Sequence, residues 1–380
     1  MSDKSIALPI CITGGGRWAR MIAQTLDRAL PDSKRRLILQ TPNSHEALTD
    51  WVAGQNFRRM VEVCAGFTNR TGPLIVANAA AHHFEAVRDA IAPGRAVLVE
   101  KPMVQTLAEL SALEQEAWRA GCTLMPAHVF AFASYVARFA ALVPARLSSA
   151  RFRWMDCFPK DPKVKQFDPA LPVYADWLPH VTSILTQIAP LRKVAIQDID
   201  LRKGGACMRI TGLWGDIPLI VELDRRAPRR ERVLELNSYE GDSHILDFSQ
   251  EPGQIRQGGK VQTGDPNWNP RKGPLAEMLM AFVAYADHGE QDARLDFETV
   301  RDVVSVIEDC ARLYQGARQR WFDQALVRNG RKVDQDMRYA FCEILGKVQL
   351  PDETCDLFLA TYNGVFDQNW LDAVRMDPLL

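Results

Sequence analysis

A run of three glycines, Gly14 to Gly16, separates an apolar segment from an amphipathic one near the start of the chain. The apolar segment, Pro9 to Thr13, has the length of a buried strand, and Arg17 to Leu30 carries apolar residues at helical spacing. Similar apolar runs then alternate with helical segments, which predicts a doubly wound parallel sheet. The further strands are predicted at 36–40, 60–67, 74–78, 96–99 and 122–125, with helices at 79–91 and 107–120.

The glycine turn fits the pattern G-x-G-x-x-A, with Gly14, Gly16 and Ala19 in the three key places. The first glycine allows a tight turn, the second lets a pyrophosphate approach the backbone, and the small third residue allows close packing of helix and strand. The helix N-terminus then faces the phosphates, so the turn predicts a dinucleotide site. The alternative is a glycine-rich loop with structural duties only. The residues predicted to bind from this turn are Gly14, Gly15, Gly16, Arg17 and Trp18.

The end of the second predicted strand bears on the type of dinucleotide. An NAD site usually has an acidic residue there, which holds the ribose hydroxyls. Here residues 40–45 contain no acid, and Asn43, Ser44 and His45 can donate hydrogen bonds to a phosphate. NADP(H) is therefore expected to be favoured over NAD(H), although this stretch contains no arginine.

Glu100-Lys101-Pro102 follows the apolar run 96–99. A buried parallel strand that ends in a charge and a proline has reached its carboxyl edge, and in open α/β sheets ligands bind beyond that edge. A lysine there can be desolvated and can pass a proton to or from a reacting oxygen or nitrogen. The alternative is a solvated lysine after a strand.

Composition narrows the class of protein. A chain of 380 residues suits two domains rather than one core. The formal net charge of −1 argues against a nucleic-acid or membrane-surface partner. No apolar run approaches the roughly 18 residues of a spanning helix, and the first residues do not resemble a secretory signal. Eight scattered cysteines without a C-x-x-C pair suggest reduced thiols in a cytoplasmic protein without a metal site.

The pattern changes near residue 147, where alternating segments predict a second domain with a large, open, mostly antiparallel sheet. Strands are predicted at 149–157, 194–201, 207–213, 217–223, 232–237 and 244–248, with one helix at 177–188. The expected domains are 1–128, 129–320 (with helices returning within 275–317) and a helical C-terminal extension, 321–380, with helices at 334–348 and 352–365. An open sheet must cover its apolar side, so a homodimer or higher homo-oligomer is expected.

Four stretches together resemble the glucose–fructose oxidoreductase / inositol dehydrogenase (Gfo/Idh/MocA) family over about residues 8–318. They are the glycine turn, Ala77 to His83, Glu100-Lys101-Pro102, and the D-x-x-x-H of Asp176 to His180. The resemblance implies a Rossmann domain, an α/β domain with a large open sheet, and NAD(P)-dependent hydride transfer on a sugar, a cyclitol or a related carbonyl or imine. It implies a catalytic group of Lys101, Asp176 and His180. It also assigns Asn78, Ala79, His83, Glu100 and Lys101 to the cofactor site.

The residue types suit that chemistry. Asp176 and His180 are four apart, so on a helix they share one face. A histidine titrates near neutrality and suits proton transfer, Lys101 can polarise the same oxygen, and Asp176 can orient the substrate or His180. An ordinary surface pair at this spacing is the alternative. The apolar loop 127–132 lacks the family's sugar-binding arginine, which suggests a substrate less polar than a free sugar.

Two functions follow from these residues. The leading one is an NADP(H)-preferring oxidoreductase acting on a small carbonyl, alcohol or imine. The other is a non-catalytic, dinucleotide-sensing regulator on the same scaffold. A regulator has no chemical need for Lys101, Asp176 and His180 together, which favours the enzyme.

Overall fold

A computed structural model describes residues 8–31, 34–66, 71–157, 171–202, 206–225 and 227–328. The chain divides into two compact units that interleave along the sequence. The first comprises residues 1–141, 182–189 and 265–305, and the second comprises 142–181, 190–264 and 306–380. The helices predicted at 334–348 and 352–365 lie outside the described residues.

The first unit contains a six-stranded parallel sheet in the order β3-β2-β1-β4-β5-β6. The predicted doubly wound parallel sheet is thereby confirmed. Its elements are β1 (Ile10–Thr13), α1 (Arg17–Ala29), β2 (Leu37–Gln40), α2 (His45–Ala53), β3 (Val61–Cys64), β4 (Leu74–Val76), α3 (His83–Ala90), β5 (Ala96–Val99), α4 (Leu107–Ala120), β6 (Thr123–Pro126) and α5 (Ser134–Ala140). The sequence analysis did not predict α5.

Strand β1 shows why these runs are strands. Its side chains alternate between two cores, since Ile10 and Ile12 belong to one hydrophobic cluster and Cys11 to the other. Successive side chains of a strand point to opposite faces, so a continuous apolar run is needed when both faces are covered. Helix α1 contributes Ile22 and Leu26 to the first cluster.

The second unit contains an eight-stranded sheet in the order β14-β13-β12-β11-β7-β10-β9-β8. Only the pairing of β7 with β10 is parallel among these strands. The expectation of a mostly antiparallel sheet is confirmed. The elements are β7 (Leu147–Met155), α6 (Val173–Ile188), β8 (Val194–Arg202), β9 (Cys207–Trp214), β10 (Ile217–Asp224), β11 (Glu231–Ser238), β12 (Ser243–Asp247), β13 (Gln254–Gln257) and β14 (Lys260–Thr263).

One prediction about this unit was wrong in detail, and one hairpin was not predicted. The helix predicted to begin at Trp177 begins at Val173, because Val173, Tyr174 and Ala175 are buried and extend its apolar surface. The hairpin of β13 and β14 was not predicted, since these two strands are short and largely exposed.

Helices α7 (Pro274–His288) and α8 (Glu298–Arg328) follow the second sheet in the chain. Within the first unit, α7 buries Met278, Leu279 and Phe282 in the same cluster as Ile10 and Ile12. This helix therefore covers one face of the parallel sheet, although its sequence lies far from the strands. In the part of the chain that the structure describes, no helix is long and apolar enough to cross a membrane.

Candidate active site

The glycine turn lies between the ends of β2 and β4. Gly14 has φ +112°, and its N–H donates to the carbonyl oxygen of Gln40 at 2.8 Å. A Cβ at residue 14 would lie 2.6 Å from the carbonyl oxygen of Ala77. Both the positive φ and this close approach exclude a side chain, so Gly14 is required by the fold itself.

Gly16 has a different environment. It is the N-cap residue of α1, it is exposed, and no atom lies within 4 Å of the position that a Cβ would occupy. No side chain caps α1, and its first turn contains no acidic residue. The helix N-terminus thus presents its N–H groups to open space, which suits an anionic group such as a pyrophosphate.

The loop after β2 lies against the turn. A Cβ at Gly15 would lie 2.7 Å from Cβ of Ser44, so the predicted phosphate-binding loop and the glycine turn are brought together. Ser44 occupies the N-cap position of α2 but makes no capping hydrogen bond with its side chain. Asn43 is exposed and His45 half-buried.

Arg20 was missed by the sequence analysis. Its Nε donates to the carbonyl oxygen of Gly15 at 3.2 Å, and its guanidinium lies over the ring of Trp51, 5.3 Å from the centroid. Arg20 lies in α1 and not in the loop after β2, where an arginine was expected. Its position one helical turn after Gly16 is the sequence feature that could have identified it. A guanidinium is thereby fixed beside Gly15.

The loop after β4 approaches the same turn from the other side. Ala79 is exposed and Asn78 half-buried, whereas His83 is buried. The two ring nitrogens of His83 lie 2.7 Å from the carbonyl oxygen of Pro102 and 3.0 Å from that of Asn78. His83 therefore connects this loop to the segment that carries Lys101.

Glu100 and Lys101 directly follow β5. Glu100 is buried, and its Oε2 accepts a hydrogen bond from the backbone N–H of Lys101 at 3.3 Å. Burial raises the pKa of the Glu100 carboxyl to about 7, while the Trp18 indole and the charge of Lys101 lower it in part. Nevertheless, Nε1 of Trp18 and Oε1 of Glu100 are both buried without a hydrogen-bond partner of good geometry. Lys101 itself is half-buried.

Asp176 and His180 lie on α6 in the second unit, as their spacing predicted. Oδ2 of Asp176 lies 3.3 Å from a guanidinium nitrogen of Arg225, which is buried. The ring of His180 stacks on Trp154, with centroids 5.1 Å apart and planes 12° apart. Neither Trp154 nor Arg225 was identified from the sequence, because strand pairing brings them to the helix.

A cavity of about 330 Å³ opens in the first unit beyond the end of β6. The apolar loop supplies Ala131 and Phe132, but Asp265, Glu277 and Arg294 supply charges. The guanidinium carbon of Arg294 lies 4.0 Å from the centroid of the Phe132 ring. The wall is therefore more polar than the loop alone indicated, because the charged residues come from much later in the chain.

Comparison with known proteins gives a family match for the N-terminal part of the chain. Residues 9–128 match the model of the Gfo/Idh/MocA family, described as an oxidoreductase family with an NAD-binding Rossmann fold. The predicted resemblance is thereby confirmed over these residues, and the match supports an NAD(P)-dependent oxidoreductase. No curated protein matches the chain.

Solved structures resemble a larger part of the chain. A protein of Magnetospirillum magnetotacticum MS-1, assigned as an oxidoreductase, is 21% identical with a TM-score of 0.60, over 80% of this chain and 100% of its own. GenD2 from gentamicin A biosynthesis, in complex with NAD, is 16% identical with a TM-score of 0.66, over 83% and 96%. KijD10, a 3-ketoreductase from Actinomadura kijaniata in complex with TDP-benzene and NADP, is 13% identical with a TM-score of 0.63, over 80% and 96%. Likeness at this identity shows the fold.

Replacing Gly16 with valine should abolish dinucleotide binding and leave the fold intact. The open space at Gly16 accepts a side chain without a clash, but the side chain then occupies the space that a pyrophosphate needs. Calorimetric titration with NADPH and NADH, together with thermal unfolding, tests this. The matched variant Gly14→Ala should instead lower the unfolding temperature, because its Cβ meets the Ala77 carbonyl. Undiminished binding of both cofactors by Gly16→Val would contradict the site.

Replacing Glu100 with glutamine should change how stability depends on pH. The folded-state pKa of about 7 lies above the ordinary value of 4.5, so the unfolded chain binds fewer protons between these values. The free energy of unfolding of the native protein should therefore fall, relative to Glu100→Gln, as pH rises from 4.5 to 7, and stay level above 7. Urea unfolding at several pH values measures this difference.

The control for that measurement is Glu85→Gln, which changes an exposed carboxylate paired with Arg88 at 2.7 Å. It should show no comparable pH-dependent difference from the native protein. Parallel curves for the native protein and Glu100→Gln across this pH range would show that Glu100 is not perturbed by burial.

Proposed function

We propose that the protein transfers hydride between a nicotinamide dinucleotide, preferably NADP(H), and a small carbonyl, alcohol or imine. The observation that carries this proposal is the open, uncapped N-terminus of α1 at Gly16, with the ends of β2 and β4 against the same turn. A dinucleotide bound there supplies the hydride or accepts it. The residues of the protein then bind it, orient the substrate and move the proton.

Three groups of residues divide this work. Gly14 to Trp18 receive the pyrophosphate, and residues 43–45 with Arg20 receive the ribose and its 2′-phosphate. Asn78, Ala79, Glu100 and Lys101 hold the nicotinamide side, with His83 fixing their loop. Lys101 polarises the reacting oxygen or nitrogen, His180 gives or takes its proton, and Asp176 orients His180 or the substrate.

The preference for NADP(H) rests on charge. Residues 40–45 present no carboxylate that would repel a 2′-phosphate, and Arg20 supplies a fixed cation next to Gly15. The fold alone does not decide the cofactor, since GenD2 holds NAD and KijD10 holds NADP.

A sugar-like substrate is supported by the family resemblance, and the description of KijD10 as a 3-ketoreductase supports a carbonyl as the reacting group. We further propose a cytoplasmic homo-oligomer that uses the second sheet, because an open sheet must cover its apolar side. The regulatory alternative is favoured by one observation. Asp176 already pairs with buried Arg225, as a purely structural carboxylate would.

Replacing Lys101 or His180 with alanine should lower turnover by about 10²–10⁴-fold, because each removes a general acid–base or polarising group. His180→Ala should leave NADPH affinity almost unchanged, whereas Lys101→Ala can weaken it slightly. NADPH oxidation with a panel of keto sugars and other carbonyls, alongside fluorescence titration of NADPH, measures both effects. Full turnover by His180→Ala would overturn its role. Binding without turnover on any carbonyl would support the regulator.

Side-by-side titrations should show tighter binding of NADPH than of NADH. Arg20→Met should weaken NADPH binding by about tenfold and change NADH binding much less, because the lost contact is with the 2′-phosphate. Arg28→Met is the matched control, since Arg28 lies near the other end of the same helix and bonds the carbonyl of Gln24. A preference for NADH, or equal effects of Arg20→Met on both cofactors, would contradict this assignment.

A further inference from the structure

Beside Asp176 and His180, the second unit buries a cluster of charged and aromatic side chains. Arg232, on β11, is buried and pairs with Asp156 at 2.7 Å. Its guanidinium carbon lies 4.1 Å from the centroid of Trp154, which in turn stacks on His180. Burying a cation costs free energy unless the cation is well paired. Arg232 therefore depends on Asp156 to remain buried among these aromatic rings.

Strand pairing fixes the contact between Arg232 and Trp154. Trp154 on β7 lies directly opposite Arg232 on β11, so their side chains share one face of the sheet. Arg232 also donates to the carbonyl oxygens of Met155 and Glu231, at 2.5 Å and 2.9 Å. The guanidinium is therefore held by backbone and carboxylate together and has one available position over the indole.

Two further aromatic rings hold Trp154. Phe152 lies 6.0 Å from it and Phe248 also 6.0 Å, the latter edge-on. Trp154 and Phe248 are almost completely buried. The indole plane is therefore set by the sheet, and His180 lies within 12° of that plane.

We propose that Trp154 and Arg232 are positioning residues for His180: the indole fixes the plane of the imidazole, and the guanidinium disfavours a second proton on it. This inference rests on the proposed function for the role of His180 in proton transfer. A cation and an aromatic face attract each other, so the indole alone would favour the imidazolium. Arg232 already occupies that indole with a permanent charge, and the two cations then oppose each other.

The charge of Arg232 persists at neutral pH. Burial lowers its pKa to about 10, an effect that Asp156 opposes and to which Arg230 contributes. The guanidinium therefore remains protonated in the near-neutral range in which an unperturbed histidine titrates. The other charged groups on these elements are Asp176 on α6, Arg151 and Arg153 on β7, Glu222 and Asp224 on β10 with Arg225 directly after it, and Glu231 and Glu235 on β11.

For the proposed reaction, this arrangement has two consequences. His180 is kept in its neutral form, which can accept a proton, and its ring is held in a fixed orientation. A neutral imidazole can accept the proton of a substrate hydroxyl as the hydride leaves for the cofactor. In the reverse direction an imidazolium on the indole that Arg232 also contacts gives its proton up readily to the reacting oxygen.

Tryptophan fluorescence tests the stack without a substrate. A protonated imidazole quenches an indole on which it stacks, whereas a neutral one quenches it much less. Emission of the native protein should therefore fall as pH decreases from 8.5 to 5. That pH-dependent component should be absent from His180→Asn and from Trp154→Phe. Its presence in either variant would overturn the stack.

Arg232→Met tests the role of the charge. Its quenching midpoint should rise by about half a pH unit, because the imidazolium no longer meets a neighbouring cation. Arg232→Lys keeps the charge and should keep the native midpoint. If the unpaired Asp156 prevents Arg232→Met from folding, the double variant Arg232→Met, Asp156→Asn replaces it. An unchanged or lowered midpoint in these variants would overturn the proposal.

A matched control comes from a second arginine–tryptophan pair in the same unit. Arg192 lies over Trp214 at 5.9 Å and pairs with Asp216 at 2.9 Å. Arg192→Met should leave the midpoint unchanged. The fluorescence test and the proposed function can fail independently. If His180→Asn kept full NADPH oxidation, the proposed catalytic role of His180 would be wrong, even if the quenching behaved as expected.

Discussion

The carbonyl oxygen of Ala77 occupies the place that a side chain at residue 14 would need. This close approach ties the turn before α1 to the end of β4, while the hydrogen bond from Gly14 to Gln40 ties it to the end of β2. Three adjacent strands of the parallel sheet thus end at one backbone turn. The loops that could contact a dinucleotide then have little freedom in where they begin, because each starts from a strand fixed in the buried sheet.

The second unit buries charged side chains near its sheet and α6. Arg225 and Arg232 are both buried, and each has a carboxylate partner. Replacing one member of such a pair is costly, whereas the intact pair contributes little net stability. The stability of the fold therefore gives little reason for these two pairs, although removing one partner would leave the other charge buried and uncompensated.

Much of the first unit could be predicted from local sequence. Buried parallel strands are continuous apolar runs, and the glycine turn carries its own geometric requirement, so β1, β2, β4 and β5 were identified with small errors at their ends. The short hairpin of β13 and β14 lacks such a signal. Lys101, Asp176 and His180 were selected as candidates by motif, and their catalytic roles stay predictions.

The residues around those candidates could not be predicted in the same way. Trp154 and Arg232 are 78 residues apart in the sequence, and they become neighbours only through the register of β7 and β11. Arg20 was overlooked because the expected place for an arginine was the loop after β2, whereas a helix turn brings it to Gly15. Sequence patterns thus reveal residues that share a local segment, and strand pairing decides which distant residues join them.

The position of His83 has a consequence for the loop that it holds. A carbonyl oxygen can only accept a hydrogen bond, and both ring nitrogens of His83 face carbonyl oxygens, those of Pro102 and Asn78. A neutral ring has one N–H and can satisfy only one of them. The tautomer of a neutral ring therefore decides whether the imidazole donates to the segment after Lys101 or to the loop after β4, and the other ring nitrogen then faces a carbonyl oxygen that it cannot bond.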